Sequence, residues 1–236
     1  VQAIHLVRHG QAGGKALIEQ PLMRNVLADL AIESEAATAF ALRVAGAVDR
    51  APRDAREASF ARVATAIGKY WVCKRAPAFV NEAQECLGGA GYVEESMLPR
   101  LYRQAPLNSI WEGSGNIQCL DVLRALQREP ATLDSLRTEL ESASGRNPAF
   151  DTWADATAVE TASILSAETD AAQARSRAWV ERLALALQAA TLLRGGSPIA
   201  DVFCRTRLDG GRGVAYGTLS FAVDVETALA RAGAGT

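Results

Sequence analysis

Paired cysteines, long apolar runs and an excess of either charge are all missing from this chain, and each absence removes a class of function. Its four cysteines, Cys73, Cys86, Cys119 and Cys204, stand apart, with no C-x-x-C or C-x-x-x-H spacing. No metal site or disulfide framework is therefore expected, and a reducing, cytoplasmic compartment fits best. No apolar run approaches the ~20 residues of a membrane span, and the first residues lack the apolar stretch of a signal peptide, so neither membrane nor secretion is expected. Lys plus Arg number 25 against 27 Asp plus Glu, a net charge of −2, which gives no general pull towards nucleic acid or anionic lipid. Beyond Pro130 lysine disappears altogether, and the last 106 residues are net acidic.

What is present is helical periodicity. From Pro21, the residues Met23, Val26, Leu27, Leu30, Ala37, Phe40, Val44 and Val48 recur at three- and four-residue intervals, which predicts one helix of ~40 Å with proline in its first turn. The polar stretch "DRAPRDAREAS" breaks the stripe. It resumes through Phe60, Val63, Ile67 and Tyr70 and runs to "ECLGG", with a kink expected near Pro77 and a glycine stop at Gly88 and Gly89. A loop carrying Pro99 and Pro106 is expected next, then a stripe of Ile117, Leu120, Leu123 and Leu126 ending at Pro130. "RAWVERLALALQAATLLRGG" predicts a further helix stopped by glycine. Extended pieces are expected only near "GVAYGTLSFAV". The expected fold is all-α, with a helical bundle over residues 1 to 128 and a second, smaller helical domain over 129 to 236.

Residues 4 to 14, "IHLVRHGQAGG", resemble the opening of a histidine phosphatase, in which a strand presents Arg-His-Gly and the histidine attacks phosphate. That chemistry needs a second histidine facing the first across the phosphoryl group. The chain has only His5 and His9, which on one strand would stand ~13 Å apart on the same face. A helix end is the simpler reading.

A more specific signal lies in "ECLGGAGYVEESMLPRLYRQAPLNSIWEGSGNIQCLDVLRAL". A Gly-Gly-x-Gly-Tyr loop followed by aromatic-Glu-Gly-Ser-x-x-Ile-Gln resembles the C-terminal helical domain of acyl-CoA dehydrogenases. Trp111 before the Glu and "CLDVLRAL" after it are most similar to the alkylation-response (AidB-type) branch. The resemblance covers residues 1 to about 128; the remainder is similar to that branch's extra helical domain in placement. In this register Gly10 and Gly13 stand where the family has Arg and Phe, and Gly14 matches.

The resemblance implies an FAD-dependent oxidoreductase that removes an α-proton and a β-hydride from an acyl-CoA thioester. Glu112 stands at the position of the base, and a carboxylate desolvated against Trp111 and the flavin is a stronger base. Trp111 and Arg124 are implied for the substrate pocket; Trp111 is also a packing aromatic, and Arg124 reads equally as a surface arginine. Glu85, Gly88, Gly89, Ser114 and Asn116 are implied as FAD contacts, with Glu85 replacing a common Gln. Ser114 reads equally as a helix N-cap, and the two glycines as a helix stop. A homo-oligomer with FAD near a subunit interface is implied. The family's N-terminal helical domain and middle β-domain have no counterpart in these residues, so turnover by the chain alone is not expected.

Two other classes of function stay open on the residues. Arg205, Arg207 and Arg212 form the one local basic cluster and would serve a DNA-associated alkylation-response protein, although the acidic surroundings predict weak binding. A structural module that dimerises or docks a partner is the third reading.

Overall fold

Helix α1 (Gln2–His9) is followed by the two-residue strands β1 (Gln11–Ala12) and β2 (Lys15–Ala16), which pair antiparallel. This opening settles the reading of "VRHG" as a helix end: His5 and His9, one helical turn apart, bring their ring centroids to 5.0 Å. The computed structural model describes residues 2–12, 14–220 and 224–233. Gly13 and the end of "GVAYGTLSFAV", residues 221–223, lie outside the described residues.

Ten further helices follow: α2 (Pro21–Arg50), α3 (Ala55–Glu85), α4 (Gly89–Tyr92), α5 (Leu98–Asn108), α6 (Gly115–Arg128), α7 (Pro130–Glu141), α8 (Pro148–Leu165), α9 (Thr169–Arg194), α10 (Ala200–Arg207) and α11 (Val225–Arg231). The fold is all-α apart from the short hairpin. Pro21 opens α2, where a missing N–H costs no intrahelical bond. Asp54 caps α3 by accepting from the amides of Arg56 and Glu57 at 2.9 and 3.2 Å. The four residues joining α2 to α3 are too few for anything but an antiparallel hairpin. The two helices bury Leu27, Ile32, Ala36 and Phe40 against Phe60, Val63, Ile67 and Tyr70. At ~1.5–3 kcal/mol for each large apolar side chain removed from water, this seam is the main cohesion of the first half.

Helix α3 runs through Pro77 as one element, as its apolar stripe predicts; proline placement departs from expectation further on. The segment read as a proline loop is largely helical, because Pro99 sits in the first turn of α5 and Pro106 in its last. A proline in either place removes at most one ladder bond, so it does not exclude a helix.

Beyond Pro130, α9 is the central element. Trp179, Val180, Ala184, Leu187 and Leu192 are fully or almost fully buried, since α9 packs on α2, α3 and α6 as well as on α8. Two indole N–H groups in this interior find side-chain acceptors: Trp71 Nε1 donates to Gln188 Oε1 at 3.2 Å, and Trp179 Nε1 to Thr161 Oγ1 at 2.9 Å. Arg43 bridges Glu57 and Glu139, both at 2.8 Å, tying α2, α3 and α7 together. One continuous apolar core therefore runs through both halves of the chain. Among the described residues no helix is long and apolar enough to cross a membrane, and no group of His, Cys, Asp and Glu is placed to hold a metal ion.

Candidate functional site

The "WEGSG" turn connects α5 to α6 and is built from the backbone outwards. After α5 the amides of Ile110 and Trp111 bond back to Leu107 O at 2.9 and 3.1 Å. The chain then reverses through two residues of positive φ, Glu112 at 50° and Gly113 at 105°. Glu112 is the one non-glycine residue with positive φ among those described, a conformation that crowds Cβ against its own carbonyl and costs ~1–2 kcal/mol.

Side chains beneath the turn hold it there. Lys69 Nζ, on α3, donates to the carbonyls of Trp111 and Gly113, each at 2.5 Å. Gln118 Nε2, one turn into α6, donates to Glu112 O at 3.2 Å and more weakly to Gly113 O at 3.4 Å. With three successive carbonyls gathered inwards, the intervening side chains face out. Trp111 is 55% exposed, Glu112 is exposed, and no hydrogen bond or ion pair engages the Glu112 carboxylate among the described residues. Gly115 packs closely beneath the turn: a Cβ there would lie 2.8 Å from Cε of the flexible Lys74 side chain and in ordinary contact, 3.5 Å, with the Tyr70 ring.

The remaining candidates fall on the adjoining surface. Glu85 ends α3 and accepts from Asn81 Nδ2 at 3.1 Å. Gly88, with φ 58° and ψ −140°, turns the chain in a conformation open essentially to glycine alone. Open space surrounds the positions where Gly88 and Gly89 would carry a Cβ, whereas Gly91 is pressed against the Gln84 carbonyl of α3. Ser114 holds the N-cap position of α6, but its hydroxyl makes no cap hydrogen bond, and Asn116 is exposed in the first turn. Arg124 lies nine residues along α6 from Gly115, ~14 Å at 1.5 Å per residue. Its partner there is Asp121, at 3.6 Å, which Arg62 also holds at 2.8 Å.

The three arginines of the basic cluster do not share a surface. Arg205 is exposed on α10, but the Arg207 side chain is 2% exposed and pairs with Asp29 at 2.6 Å. Arg212 turns towards the same carboxylate, at 3.6 Å.

Lys69, Tyr70, Lys74 and Gln118 shape the turn; sequence reasoning read Tyr70 only as part of the apolar stripe and Gln118 only as part of the motif, and assigned the two lysines no role. A signal was available, since the chain has three lysines in all and two of them lie on one stretch of α3 beneath this loop.

The sequence pattern of the family described as acyl-CoA dehydrogenase, C-terminal domain, matches residues 1–127. AidB of Escherichia coli (strain K12), a protein named as an acyl-CoA dehydrogenase, is 50% identical over 149 residues, which are 63% of this chain and 27% of that protein. Acyl-CoA dehydrogenase family member 11 of Caenorhabditis elegans is 30% identical over 141 residues, 58% of this chain and 23% of that one. The chain thus spans about a quarter of the length of these relatives. Among solved structures, C. elegans ACDH-11 in complex with C11-CoA superposes over 87% of this chain and 39% of its own, with a TM-score of 0.74 at 21% identity. The Bacillus anthracis acyl-CoA dehydrogenase complexed with FAD gives 0.70 over 88% of this chain and 44% of its own, at 15% identity. At these identities the likeness is one of fold.

Proposed function

The chain belongs to the acyl-CoA dehydrogenase family, whose C-terminal domain it contains, and from that premise we propose that it supplies the base-bearing wall of an FAD-dependent acyl-CoA oxidoreductase. The observation that carries the proposal is Glu112 itself. A carboxylate held outward without a partner, on a turn strained and anchored from below, has the accessibility that proton abstraction needs. The carboxylate takes the α-proton of the acyl thioester, the electrons of that C–H bond form the α,β double bond, and hydride leaves the β-carbon. FAD, when bound, supplies the hydride acceptor.

The residues present fit such a cofactor as one face of its site. Gly88 and Gly89 leave the backbone bare. Ser114 keeps its hydroxyl out of the helix cap, beside the amides of a 14-residue helix whose N-terminus favours phosphate. Glu85 and Asn116 flank this face, and Trp111 offers an exposed ring to the acyl group.

Nine of the fourteen large apolar side chains exposed among the described residues fall between Tyr92 and Ile117, on either side of the base. So much apolar surface beside one functional loop marks a face that another surface covers. We assign it to the acyl-CoA substrate, to a neighbouring copy of the chain and to the further domains that complete the pocket, with Arg124 at its far edge. Residues 1 to 128 then form the catalytic wall, and 129 to 236 the layer that stiffens it through α9. The similarity to AidB extends over more residues than the family match, which favours the alkylation-response branch. Four unpaired cysteines fit a reducing, cytoplasmic setting.

The test uses the full-length protein that carries this chain. Glu112→Gln should lower acyl-CoA oxidation by ~10²–10⁴ and leave the flavin spectrum intact. An unchanged rate would remove Glu112 from the chemistry. The same apolar face would serve a purely structural docking module, which is the reading that stands if the protein takes up no flavin.

A further inference from the structure

The residues that carry the base have no backbone scaffold of their own. The Trp111 amide still bonds back into the end of α5, and the ladder of α6 starts at the Gln118 amide, which bonds to Ser114 O at 3.0 Å. Between these points the amides of Glu112, Gly113 and Ser114 make no backbone hydrogen bond among the described residues. The carbonyls of Trp111, Glu112 and Gly113 accept from side chains alone. The peptide groups on both sides of Glu112 are therefore held from outside the loop.

Lys69 supplies most of that hold. Its ammonium has three donors and uses two of them here, one on Trp111 O and one on Gly113 O, each at 2.5 Å. Gln118 Nε2 takes the carbonyl between them, Glu112 O, at 3.2 Å. Three successive planar peptide groups are gripped in this way, which sets the direction of the Glu112 Cα–Cβ bond and leaves the side-chain torsions as the remaining freedom. One charged group serving two carbonyls suits the task, since charge-assisted hydrogen bonds are about twice as strong as neutral ones.

The platform under the grip is stiff. Lys69 projects from the middle of α3, whose neighbouring residues Ile67 and Tyr70 are buried. The space lined by Lys69, Tyr70, Asn108, Gly113 and Gln118 has no room for a water molecule, so solvent cannot replace the ammonium from beneath. Without Lys69, a residue at φ 50° has lower-energy conformations to move to at negative φ, and each of them points Cβ elsewhere.

We propose that Lys69 is a positioning residue for the general base: through the carbonyls on either side of Glu112, it holds the backbone in the conformation that presents the carboxylate outward. This role rests on the reading of Glu112 as the base, and adds that the aim of the base is set from α3. A displacement of the reacting group by ~1 Å can cost ~10²-fold in rate.

The experiment compares Lys69→Met, Glu112→Gln and the double variant in the full-length protein that carries this chain, following flavin reduction by acyl-CoA without oxygen. Methionine keeps an unbranched apolar stem but donates nothing. Lys69→Met should slow reduction by ~10–100-fold while the flavin spectrum and the half-saturating acyl-CoA concentration stay those of the parent. With Gln at position 112 there is no base to aim, so adding Lys69→Met should cost nothing further. Reduction at the parent rate in Lys69→Met would overturn the proposal. So would an equal loss in both backgrounds, or a loss that arises from weaker flavin or acyl-CoA binding, since either marks a support for the fold alone. A parent rate in Glu112→Gln by itself would instead refute the assignment of the base, and Lys69 would have nothing to position.

Discussion

Replacing Glu112 by glycine should make this protein more stable while abolishing the activity proposed for it. Glu112 adopts φ 50°, which costs a side-chain-bearing residue ~1–2 kcal/mol and glycine nothing. Against that gain stands the extra freedom of glycine in the unfolded chain, ~0.5–1 kcal/mol. No hydrogen bond or ion pair is lost with the side chain, since the carboxylate makes none with the described residues. The balance is a gain of ~0.5–1 kcal/mol, or ~1–4 °C in the unfolding midpoint of a chain this long. Glu112→Gln keeps the backbone strain and should unfold with the parent, whereas Glu112→Val, β-branched in a left-handed conformation, should unfold earlier. Calorimetry on the four proteins gives the order Gly above Glu and Gln, with Val lowest. If Glu112→Gly unfolds no later than Glu112→Gln, the turn stores no strain at this residue, and the argument that its backbone is held for function fails.

Other consequences follow from the charged groups. Arg207→Met leaves Asp29 buried with its strongest partner gone, and should cost ~3–5 kcal/mol; a loss under 1 kcal/mol in denaturant unfolding would show the network to be loosely held. Burial raises the Glu33 carboxyl, but the charges of Arg207, Arg75 and Arg212 and the Arg75 hydrogen bond outweigh it, and the pKa is lowered. Its stabilisation is therefore complete above the ordinary carboxylate pKa of 4.5 and is lost as the pH falls through the lower folded value. The acid limb of a midpoint-against-pH curve should flatten in Glu33→Gln, and an identical limb would contradict this. Lys69→Met removes a half-exposed charged donor from two carbonyls, ~1–2 kcal/mol after allowing for solvent, so hydrogen exchange at the Gly113 to Asn116 amides should quicken ~10-fold. Unchanged exchange would mean the turn holds itself.

The helices were legible because their signals are local. Apolar residues at three- and four-residue spacing marked α2, α3, α6 and α9, and the glycine pair marked the end of α3. Pro99 and Pro106 misled because a proline is read as a breaker wherever it falls, while its cost depends on the turn it occupies. Glu112 was singled out through its motif, but the positive φ it adopts was not, since φ depends on how α5 and α6 are brought together. The arginine cluster failed as a surface for a related reason. Sequence spacing placed Arg205, Arg207 and Arg212 together without saying which side of α10 meets α2, and Asp29, more than 170 residues earlier, decides that.

The two charged centres of this chain divide along that line. A general base must meet a proton from outside, so its carboxylate has to be reachable, and fixing it through its own oxygens would spend the basicity the reaction needs. Glu112 meets this requirement because the anchoring is transferred to the backbone: Lys69 and Gln118 grip the carbonyls on either side, and the carboxylate is left unengaged. Asp29 shows the opposite arrangement, with both oxygens consumed by Arg207 and Gly217 and no access from solvent. A carboxylate so bound can position a chain segment but cannot take a proton from a substrate. On the proposed function, the apolar residues from Tyr92 to Ile117 serve chemistry as well as docking: a partner surface laid over them would exclude water from the neighbourhood of Glu112 while the substrate is in place.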